Sequence, residues 1–367
     1  DDDADLAHAE ALRPLVGRLH VEKRTRSKPR AAIAALVGGR AISVAMFDSP
    51  HFGAAVARLV RDEPIDTIFA FSGQMAQFVA PDPERRFVMD FVDVDSAKFD
   101  AYAEDATGLS RWLYAREARR LGAFERDVAA RADLSLFVSA QEAGLFRDRT
   151  GLPATSCAVL ENGVDLERYA PTASFTRLAP DERGEGPLIV FTGQMNYRPN
   201  AAAAQAFATE MLPAIRARHP SARFAIVGRA PEGALRRLDG RAGVRVTGAV
   251  PDVRGWLAAA DIVVAPLSIA RGVQNKVLEA MAMGRPVVAS PAAFEGIDAS
   301  VGTELLVAGA DSMAAVVADL LDDPVRRRAL GKAARALVER RYAWAARLAP
   351  LAAMVGRANP APRGVAQ

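Results

Sequence analysis

Cysteine is nearly missing from this chain of 367 residues, in which Cys157 is the only one. A single cysteine excludes an intrachain disulfide, and we expect a reducing compartment, the cytoplasm. Histidine is also scarce, and the four histidines at positions 8, 20, 51 and 219 stand in no metal-ligand spacing. The sequence therefore predicts no zinc site.

Long apolar runs are missing as well. No run reaches the roughly 18 residues that a membrane-spanning helix needs. The 47 Lys and Arg residues nearly balance the 44 Asp and Glu residues, so the net charge is only +3 and no nucleic-acid partner is expected. One basic stretch, residues 23–30, is either a solvated loop or a contact for phosphate or an anionic membrane surface. We therefore expect peripheral membrane contact at most, at the inner face of the membrane.

The composition is that of an ordinary globular protein, and the length suits two domains. Apolar runs alternate with helical patterns, which predicts α/β units with parallel sheets. Strands are predicted at residues 65–71, 87–92, 134–138, 157–160, 188–192, 223–227, 244–246, 262–265, 286–289 and 305–307. The expected parts are a first domain at 1–170, a linker at 171–187, a second domain at 188–341, a C-terminal crossover helix at 342–356 and a flexible tail at 357–367.

A helix that opens at Gly272, after the strand at 262–265, is the most informative feature of the second domain. Its first backbone N–H groups are unpaired and its dipole is positive there, so an anion is favoured. Lys276 and Glu279 share a face of this helix. Glu279 lies about 10 Å from Gly272 at ~1.5 Å per residue, roughly the span from a diphosphate to ribose hydroxyls. The pattern suggests a sugar nucleotide, although a buried apolar stripe with a surface ion pair would look similar.

Other loops follow the strands of the second domain, at the sheet edge where parallel sheets bind ligands. Gly193 lets the backbone approach a phosphate, and Arg198 is a candidate clamp for a diphosphate unless the loop is a plain turn. The predicted donor-binding residues are Gly193, Gln194, Asn196, Arg198, Arg229, Val250, Arg271, Gly272, Val273, Gln274, Asn275, Lys276 and Glu279.

Three carboxylates, Asp90, Asp93 and Asp95, mark a strand end in the first domain. Such a cluster suits an acceptor hydroxyl, a catalytic base or a metal ion, and capping of the next helix is the structural alternative. The predicted acceptor-side residues are Ser72, Gln74, Asp93 and Asp95, with Asp93 as the candidate base.

The motif KVLEAMAMGRPVV at 276–288 resembles glycosyltransferase family 4, the glycosyl group 1 transferases. The similarity runs from 188 to 288, includes Asn162-Gly-Val-Asp165, and extends loosely through 90–95 and 137–139. There it resembles the branch attached to exopolysaccharide loci with the PEP-CTERM exosortase sorting system. The resemblance implies the GT-B fold, in which two Rossmann-like domains with parallel sheets face each other across a cleft and C-terminal helices pack back towards the first domain.

The same resemblance implies the chemistry of the site. Glu279 would hold the ribose hydroxyls of a UDP or GDP sugar, Lys276 would meet the diphosphate, and both count with Asp93 as the predicted catalytic residues. The implied reaction is sugar transfer with retention of configuration, without an obligatory metal or a cofactor, to a glycan or polyprenyl-linked acceptor of extracellular polysaccharide synthesis.

Two departures from the family pattern bear on this prediction. The family usually has a second glutamate eight positions before Glu279, where this chain has Arg271. Family members also begin with a strand and a glycine-rich loop, and we expect both to be missing from the first domain. The alternatives are a non-catalytic sugar-nucleotide-binding protein on the same scaffold and a sugar-nucleotide 2-epimerase, which would want histidines near the sugar.

Overall fold

The computed structural model describes residue 6 and residues 9–270 and 272–356, except the side chain of residue 28. His8, the predicted site residue Arg271 and the predicted tail at 357–367 lie outside the described residues. The chain divides into two compact units, the first comprising Asp1–Leu160 with Pro350–Gln367 and the second Glu161–Ala349.

The first unit is built on four strands, β1 (Thr67–Phe71), β2 (Arg86–Val92), β3 (Leu134–Phe137) and β4 (Cys157–Val159). Its helices are α1 (Ala9–Leu12), α2 (Lys28–Val37), α3 (Ile42–Ala45), α4 (Pro50–Asp62), α5 (Asp95–Asp105), α6 (Gly108–Arg131) and α7 (Ala140–Thr150). Short 3₁₀ helices lie at Arg13–Leu15, Gly73–Phe78 and Ala154–Ser156.

All strands of this sheet are parallel, in the order β1-β2-β3-β4. Its core contains three aromatic rings in contact, since the Phe137 centroid lies 5.6 Å from that of Phe91 and 4.7 Å from that of Phe146. A separate small cluster joins Ala41, Val44 and Leu121 beside α6. The core of this unit is therefore divided.

The second unit contains strands β5 (Leu188–Thr192), β6 (Arg223–Val227), β7 (Val244–Gly248), β8 (Ile262–Ala265), β9 (Val287–Ala289) and β10 (Leu306–Val307). Its helices are α8 (Pro180–Arg183), α9 (Arg198–Ala206), α10 (Leu212–Arg218), α11 (Gly233–Arg236), α12 (Arg254–Ala259), α13 (Asn275–Ala282), α14 (Pro291–Phe294), α15 (Ala310–Asp322), α16 (Pro324–Arg341) and α17 (Trp344–Leu348). A π-helical turn at Phe207–Met211 joins α9 to α10.

The six strands are parallel, in the order β10-β9-β8-β5-β6-β7. Central strands β5, β8 and β9 are buried at every position, as expected for a parallel sheet covered on both faces. One continuous hydrophobic cluster joins the sheet to its helices. The two predicted parallel α/β units are thus confirmed, and the ten strands lie within two residues of their predicted bounds.

The division between the units falls between Leu160 and Glu161, ten residues before the predicted end of the first domain. The reason is local packing, because Val164 pairs with Ala343 and the Val164 N–H donates to Tyr342. The predicted crossover helix is two helices, of which α17 belongs to the second unit and α18 (Leu351–Val355) to the first.

Helix α18 is attached to the first sheet by two side chains that donate to its last carbonyls. The Thr67 hydroxyl donates to Val355 O at 3.2 Å, and the Arg86 guanidinium donates to Met354 O at 3.0 Å. In the part of the chain that the structure describes, no helix is long and apolar enough to cross a membrane.

Candidate functional site

The loops after β5 and β6 lie against each other at the carboxyl edge of the second sheet. Gly193 N donates to Val227 O at 3.0 Å, and Met195 N donates to Arg229 O at 2.9 Å. Gly228 has a φ of +151°, and a Cβ there would lie 1.7 Å from Gly193 O. Only glycine fits this approach, so Gly228 allows the two loops to lie directly against each other.

Lys276 reaches from α13 to this pair of loops. Its ammonium donates to Asn200 Oδ1 at 2.5 Å and lies 5.0 Å from the centre of the Phe191 ring. The Asn200 amide in turn donates to Gln194 O at 3.0 Å. A Cβ on Gly193 would lie 2.8 Å from Asn200 Nδ2, so glycine leaves the room that this asparagine occupies.

Burial lowers the pKa of Lys276 to about 8, although the nearby Glu279 carboxylate opposes that shift. The only hydrogen bond assigned to the ammonium within the described chain is to a neutral amide. Burial removes part of the hydration of the Lys276 ammonium, and the neutral Asn200 amide does not balance its charge. An anion that binds beside the ammonium would supply that balancing charge.

Glu279 lies one turn further along α13 and contacts a residue from far earlier in the chain. The Tyr169 hydroxyl hydrogen-bonds to the Glu279 carboxylate. Burial raises the pKa of Glu279, and Tyr169, Arg168 and Lys276 act in the opposite direction. The Glu279 carboxylate can therefore accept a further hydrogen bond, while the Tyr169 hydroxyl orients it.

Arg335 of α16 holds the backbone around Tyr169 and the end of α13 together. Its guanidinium donates to Tyr169 O at 3.0 Å and to Ala282 O at 2.7 Å. Helix α16 also packs closely at this point, because a Cβ on Gly331 would lie 2.2 Å from Gly284 O. The Tyr169 to Glu279 contact is therefore supported by a rigid backbone.

The predicted helix start at Gly272 is wrong, because α13 begins at Asn275 with Gln274 as its N-cap. Gly272 has a φ of +62°, a left-handed conformation that places it in the turn before the helix. Residues Gly272 and Val273 are buried in this turn, and the Gln274 side chain donates to Gly272 O at 3.3 Å. Residues 272–274 thus form a turn that leads into the start of α13 at Asn275.

The remaining predicted donor-side residues are mostly exposed around this edge. Gln194, Asn196 and Arg229 lie on the two glycine loops, Arg198 is the first residue of α9, Val250 follows β7 and Asn275 begins α13. The contacts that join these elements are made by Asn200, Phe191 and Tyr169, which the sequence did not identify. Asn200 had a detectable signal, because it lies only seven residues after Gly193, near the start of α9, whereas Tyr169 had none.

At the carboxyl edge of the first sheet, three of the four predicted acceptor-side residues form a hydrogen-bonded chain. The Ser72 hydroxyl donates to Gln74 Oε1 at 2.6 Å, and Gln74 Nε2 donates to Asp95 Oδ2 at 2.9 Å. The Lys98 ammonium lies 2.5 Å from the other Asp95 oxygen. Asp93 lies in the loop before α5, two residues before Asp95.

Backbone strain marks this edge. Val92 has a φ of +71°, which is rare for a β-branched residue, and its N–H donates to Asp90 Oδ1 at 3.0 Å. Burial raises the pKa of Asp90 to about 6. The hydrogen bond from Val92 N to this buried carboxyl group holds the end of β2 in place. Glu142 holds the loop that follows β2 by accepting from Val94 N at 2.7 Å.

Comparison with solved structures identifies the class of fold to which the two parallel-sheet units belong. Sucrose-phosphate synthase from Thermosynechococcus elongatus superposes with a TM-score of 0.65 at 18% identity, over 83% of this chain and 76% of that one. Anabaena HepE, solved in complex with UDP, gives 0.63 at 17% identity, over 82% and 81%. The fold is GT-B, made of two parallel-sheet α/β units.

Sequence comparison adds the family resemblance of the second unit. Residues 186–323 match the family model described as Glycosyl transferases group 1. A GDP-mannose-dependent monoacylated alpha-(1-6)-phosphatidylinositol monomannoside mannosyltransferase of Corynebacterium glutamicum is 30% identical over 236 residues, 60% of this chain and 61% of that protein. The chain spans about three fifths of the length of the curated relatives that it matches first.

Proposed function

We propose that the second unit binds a nucleoside-diphosphate sugar and that the protein is a retaining, metal-independent glycosyltransferase. The observation that carries the proposal is Lys276, a partly buried ammonium on the neutral Asn200 amide beside the Gly193 loop. A diphosphate at this place would pair with the ammonium and accept from backbone N–H groups of the glycine loops and the α13 start.

Glu279 completes the donor site by holding the ribose hydroxyls of the same nucleotide. A carboxylate accepts from two adjacent hydroxyls, and the Tyr169 hydroxyl fixes its orientation. Held cations and dipoles near the phosphates would stabilise the charge that develops on the leaving diphosphate. The nucleotide is a UDP or GDP sugar, a choice supported by the UDP bound to HepE and by the GDP-mannose dependence of the mannosyltransferase relative.

The first unit supplies the acceptor side in this proposal. The hydrogen-bonded chain of Ser72, Gln74 and Asp95 offers oriented polar groups, and Asp93 is the candidate base for the acceptor hydroxyl. The acceptor is a glycan or polyprenyl-linked saccharide of extracellular polysaccharide synthesis, handled at the cytoplasmic face of the membrane. The loose sequence resemblance at 90–95 and 137–139 supports this choice of acceptor.

Peripheral membrane contact is part of the same proposal, and an apolar patch on the first unit supports it. The patch consists of Ile33, Leu36 and Val37 on α2 with Leu109 and Trp112 on α6, which are between 43% and 87% exposed. The two helices are joined one turn after Trp112, where Arg116 donates to Ala35 O at 2.8 Å. Arg30, Arg111, Arg119 and Arg120 are also exposed on these helices.

Apolar side chains interspersed with arginines match the interface of an anionic bilayer. The test is co-sedimentation of the full chain with vesicles of phosphatidylglycerol and phosphatidylcholine, compared with phosphatidylcholine alone. Binding is expected only to the anionic vesicles, and the double change Val37→Ser and Trp112→Ser should reduce it at least about fivefold. Val325→Ser, at an exposed valine of the second unit, is the matched control. Equal binding by all variants would remove the patch from the proposal.

The donor site is tested by calorimetry of the full chain with UDP, GDP and their sugars. Lys276→Ala and Glu279→Gln should each weaken nucleotide binding by ~30-fold or more, because the first removes the ammonium and the second replaces an acceptor oxygen of the carboxylate with an amide NH2 group. Lys332→Ala and Glu210→Gln change exposed residues of the same unit and should leave the affinity unaltered. Unaltered affinity in the Lys276 and Glu279 variants would refute the site.

Turnover distinguishes the transferase from a non-catalytic binding protein on the same scaffold. A radiolabelled UDP or GDP sugar should release free nucleoside diphosphate when an acceptor is supplied. A sensor would bind the nucleotide with the same residues and release none.

A further inference from the structure

Two histidines and a glutamate of the first unit bring three metal-ligating atoms together. Glu22 Oε2 lies 2.8 Å from His51 Nδ1 and 3.8 Å from His20 Nε2. All three donor atoms lie within 4.8 Å of one another, and no other group of three such side chains among the described residues does so. None of them belongs to the proposed donor or acceptor sides.

The chain positions these three side chains from two segments. His20 and Glu22 lie two residues apart in the segment 18–27, which is neither helix nor strand. His51 is the second residue of α4, whose start is fixed by Pro50 and by Ser49 Oγ, which accepts from Phe52 N at 3.1 Å. Because the segments are far apart in sequence, the spacing of the histidines could not indicate the cluster.

Neighbouring groups orient the cluster. The Ser49 hydroxyl donates to Glu22 Oε1, which leaves Oε2 towards the imidazoles. The His20 ring lies 5.7 Å, between centroids, from both His51 and Phe52. Hydrogen bonds to the non-ligating atom of a carboxylate are what metal sites use to hold their ligands in place.

The two distances from the Glu22 carboxylate bracket the separation of ligands in a metal site. Zinc ligands at ~2.0–2.1 Å in a tetrahedron lie about 3.4 Å from one another, between the two distances that Glu22 makes here. The side chains of His20 and His51 are 46% and 79% exposed, so water can reach the remaining coordination position. A bound cation would replace the hydrogen bond between His51 Nδ1 and Glu22 Oε2.

The donor atoms determine the class of metal. Two imidazole nitrogens with one carboxylate oxygen suit Zn²⁺ and other late first-row divalent ions, whereas Mg²⁺ and Ca²⁺ prefer oxygen ligands throughout. We propose that His20, Glu22 and His51 form a binding site for Zn²⁺ that ties the segment 18–27 to the start of α4. This site is independent of the donor site and of the proposed transfer reaction.

The test uses the full chain, stripped of metal with a chelator and dialysed. Calorimetry with ZnCl₂ should give one site, and Co²⁺ should give the visible absorption bands of a four- or five-coordinate complex. His20→Ala, His51→Ala and Glu22→Gln should each lower the Zn²⁺ affinity about tenfold or more. His219→Ala, which changes a histidine of the second unit beside Asp322, should leave it unchanged.

Thermal unfolding supplies a second readout that does not depend on activity. Zn²⁺ should raise the unfolding temperature of the unaltered chain and of His219→Ala, because an ion that binds only the folded state stabilises it. The three cluster variants should keep their metal-free unfolding temperature and lose the rise. Absence of binding at millimolar ZnCl₂, or equal affinity in the cluster variants and in His219→Ala, would overturn the proposal.

Discussion

The two units differ in how completely they bury their apolar side chains. The second unit buries one continuous core around a six-stranded sheet, whereas the first has a four-stranded sheet with two separate clusters. Among the described residues, most of the exposed large apolar side chains lie in the first unit, including Val37 at 87% and Leu15 at 76%. A continuous core leaves little freedom for the loops that it supports, and a divided core leaves apolar surface available.

This difference corresponds to the different chemistry at the two sheet edges. Lys276 and Glu279 are charged and partly buried, so they need partners and backbone that cannot relax away. Asn200 and Tyr169 are the partners of Lys276 and Glu279, and Arg335 holds the backbone around Tyr169 and the end of α13 in place. The edge of the first sheet instead holds a hydrogen-bonded chain of the neutral side chains Ser72 and Gln74 with the charged Asp95.

The largest expected effect comes from truncating one core at a time. Phe224→Ala and Phe146→Ala each remove a fully buried ring that contacts another phenylalanine, and each should cost about 3–5 kcal/mol of stability. Chemical denaturation measures the loss. If the nucleotide site is built on the second core alone, only Phe224→Ala should also weaken nucleotide binding at temperatures where both variants are folded.

The expectation that only the second core supports the nucleotide site is wrong if both variants weaken nucleotide binding. Loss of nucleotide affinity in Phe146→Ala, with the second unit still folded by circular dichroism, would mean that the first core also supports the donor site.

Gly193→Ala tests the close approach at the edge of the second sheet. The added Cβ would lie 2.8 Å from Asn200 Nδ2, so the asparagine must shift and Lys276 loses its partner. Nucleotide affinity measured by calorimetry should fall about tenfold or more, the size of a lost charged hydrogen bond. Gly233→Ala is the control, because its Cβ would meet only the Arg237 side chain at 3.6 Å. Equal affinities in the two variants would contradict the role of this glycine.

The pH dependence of nucleotide binding should reveal the environment of Lys276. Burial lowers its pKa to about 8, so the ammonium is present at pH 7 and mostly lost at pH 9. Affinity for the tighter of UDP and GDP should therefore fall as pH rises through 8, by somewhat less than tenfold between pH 7 and 9. Lys276→Arg keeps its charge over this range and should flatten the profile. A falling profile in that variant as well would place the titrating group elsewhere.

The sequence predicted the strands of both units closely because runs such as 188–192 and 262–265 are buried on both faces and end at glycine or proline. It also predicted from their spacing that Lys276 and Glu279 share one helix, and both lie on α13. The start of α13 was misplaced by three residues, since a glycine before a helix fits either a helix start or a left-handed turn. Long-range partners such as Tyr169 and the cluster of His20 with His51 depend on how distant segments pack, and no local pattern encodes that.

Tyr169→Phe gives the smallest expected effect and tests such a long-range partner directly. The change keeps the packed ring and removes only the hydroxyl that hydrogen-bonds to Glu279. Without that bond the pKa of Glu279 should rise further and its carboxylate should be less well oriented, so nucleotide affinity should fall about fivefold, which is ~1 kcal/mol and within the range of a single hydrogen bond. The loss should be larger for nucleosides with both ribose hydroxyls than for their 2′-deoxy analogues, because only the former use both carboxylate oxygens. Tyr197→Phe, at an exposed tyrosine of the Gly193 loop, is the matched control, and an equal loss in both variants would mean that Tyr169 acts through packing instead of through Glu279.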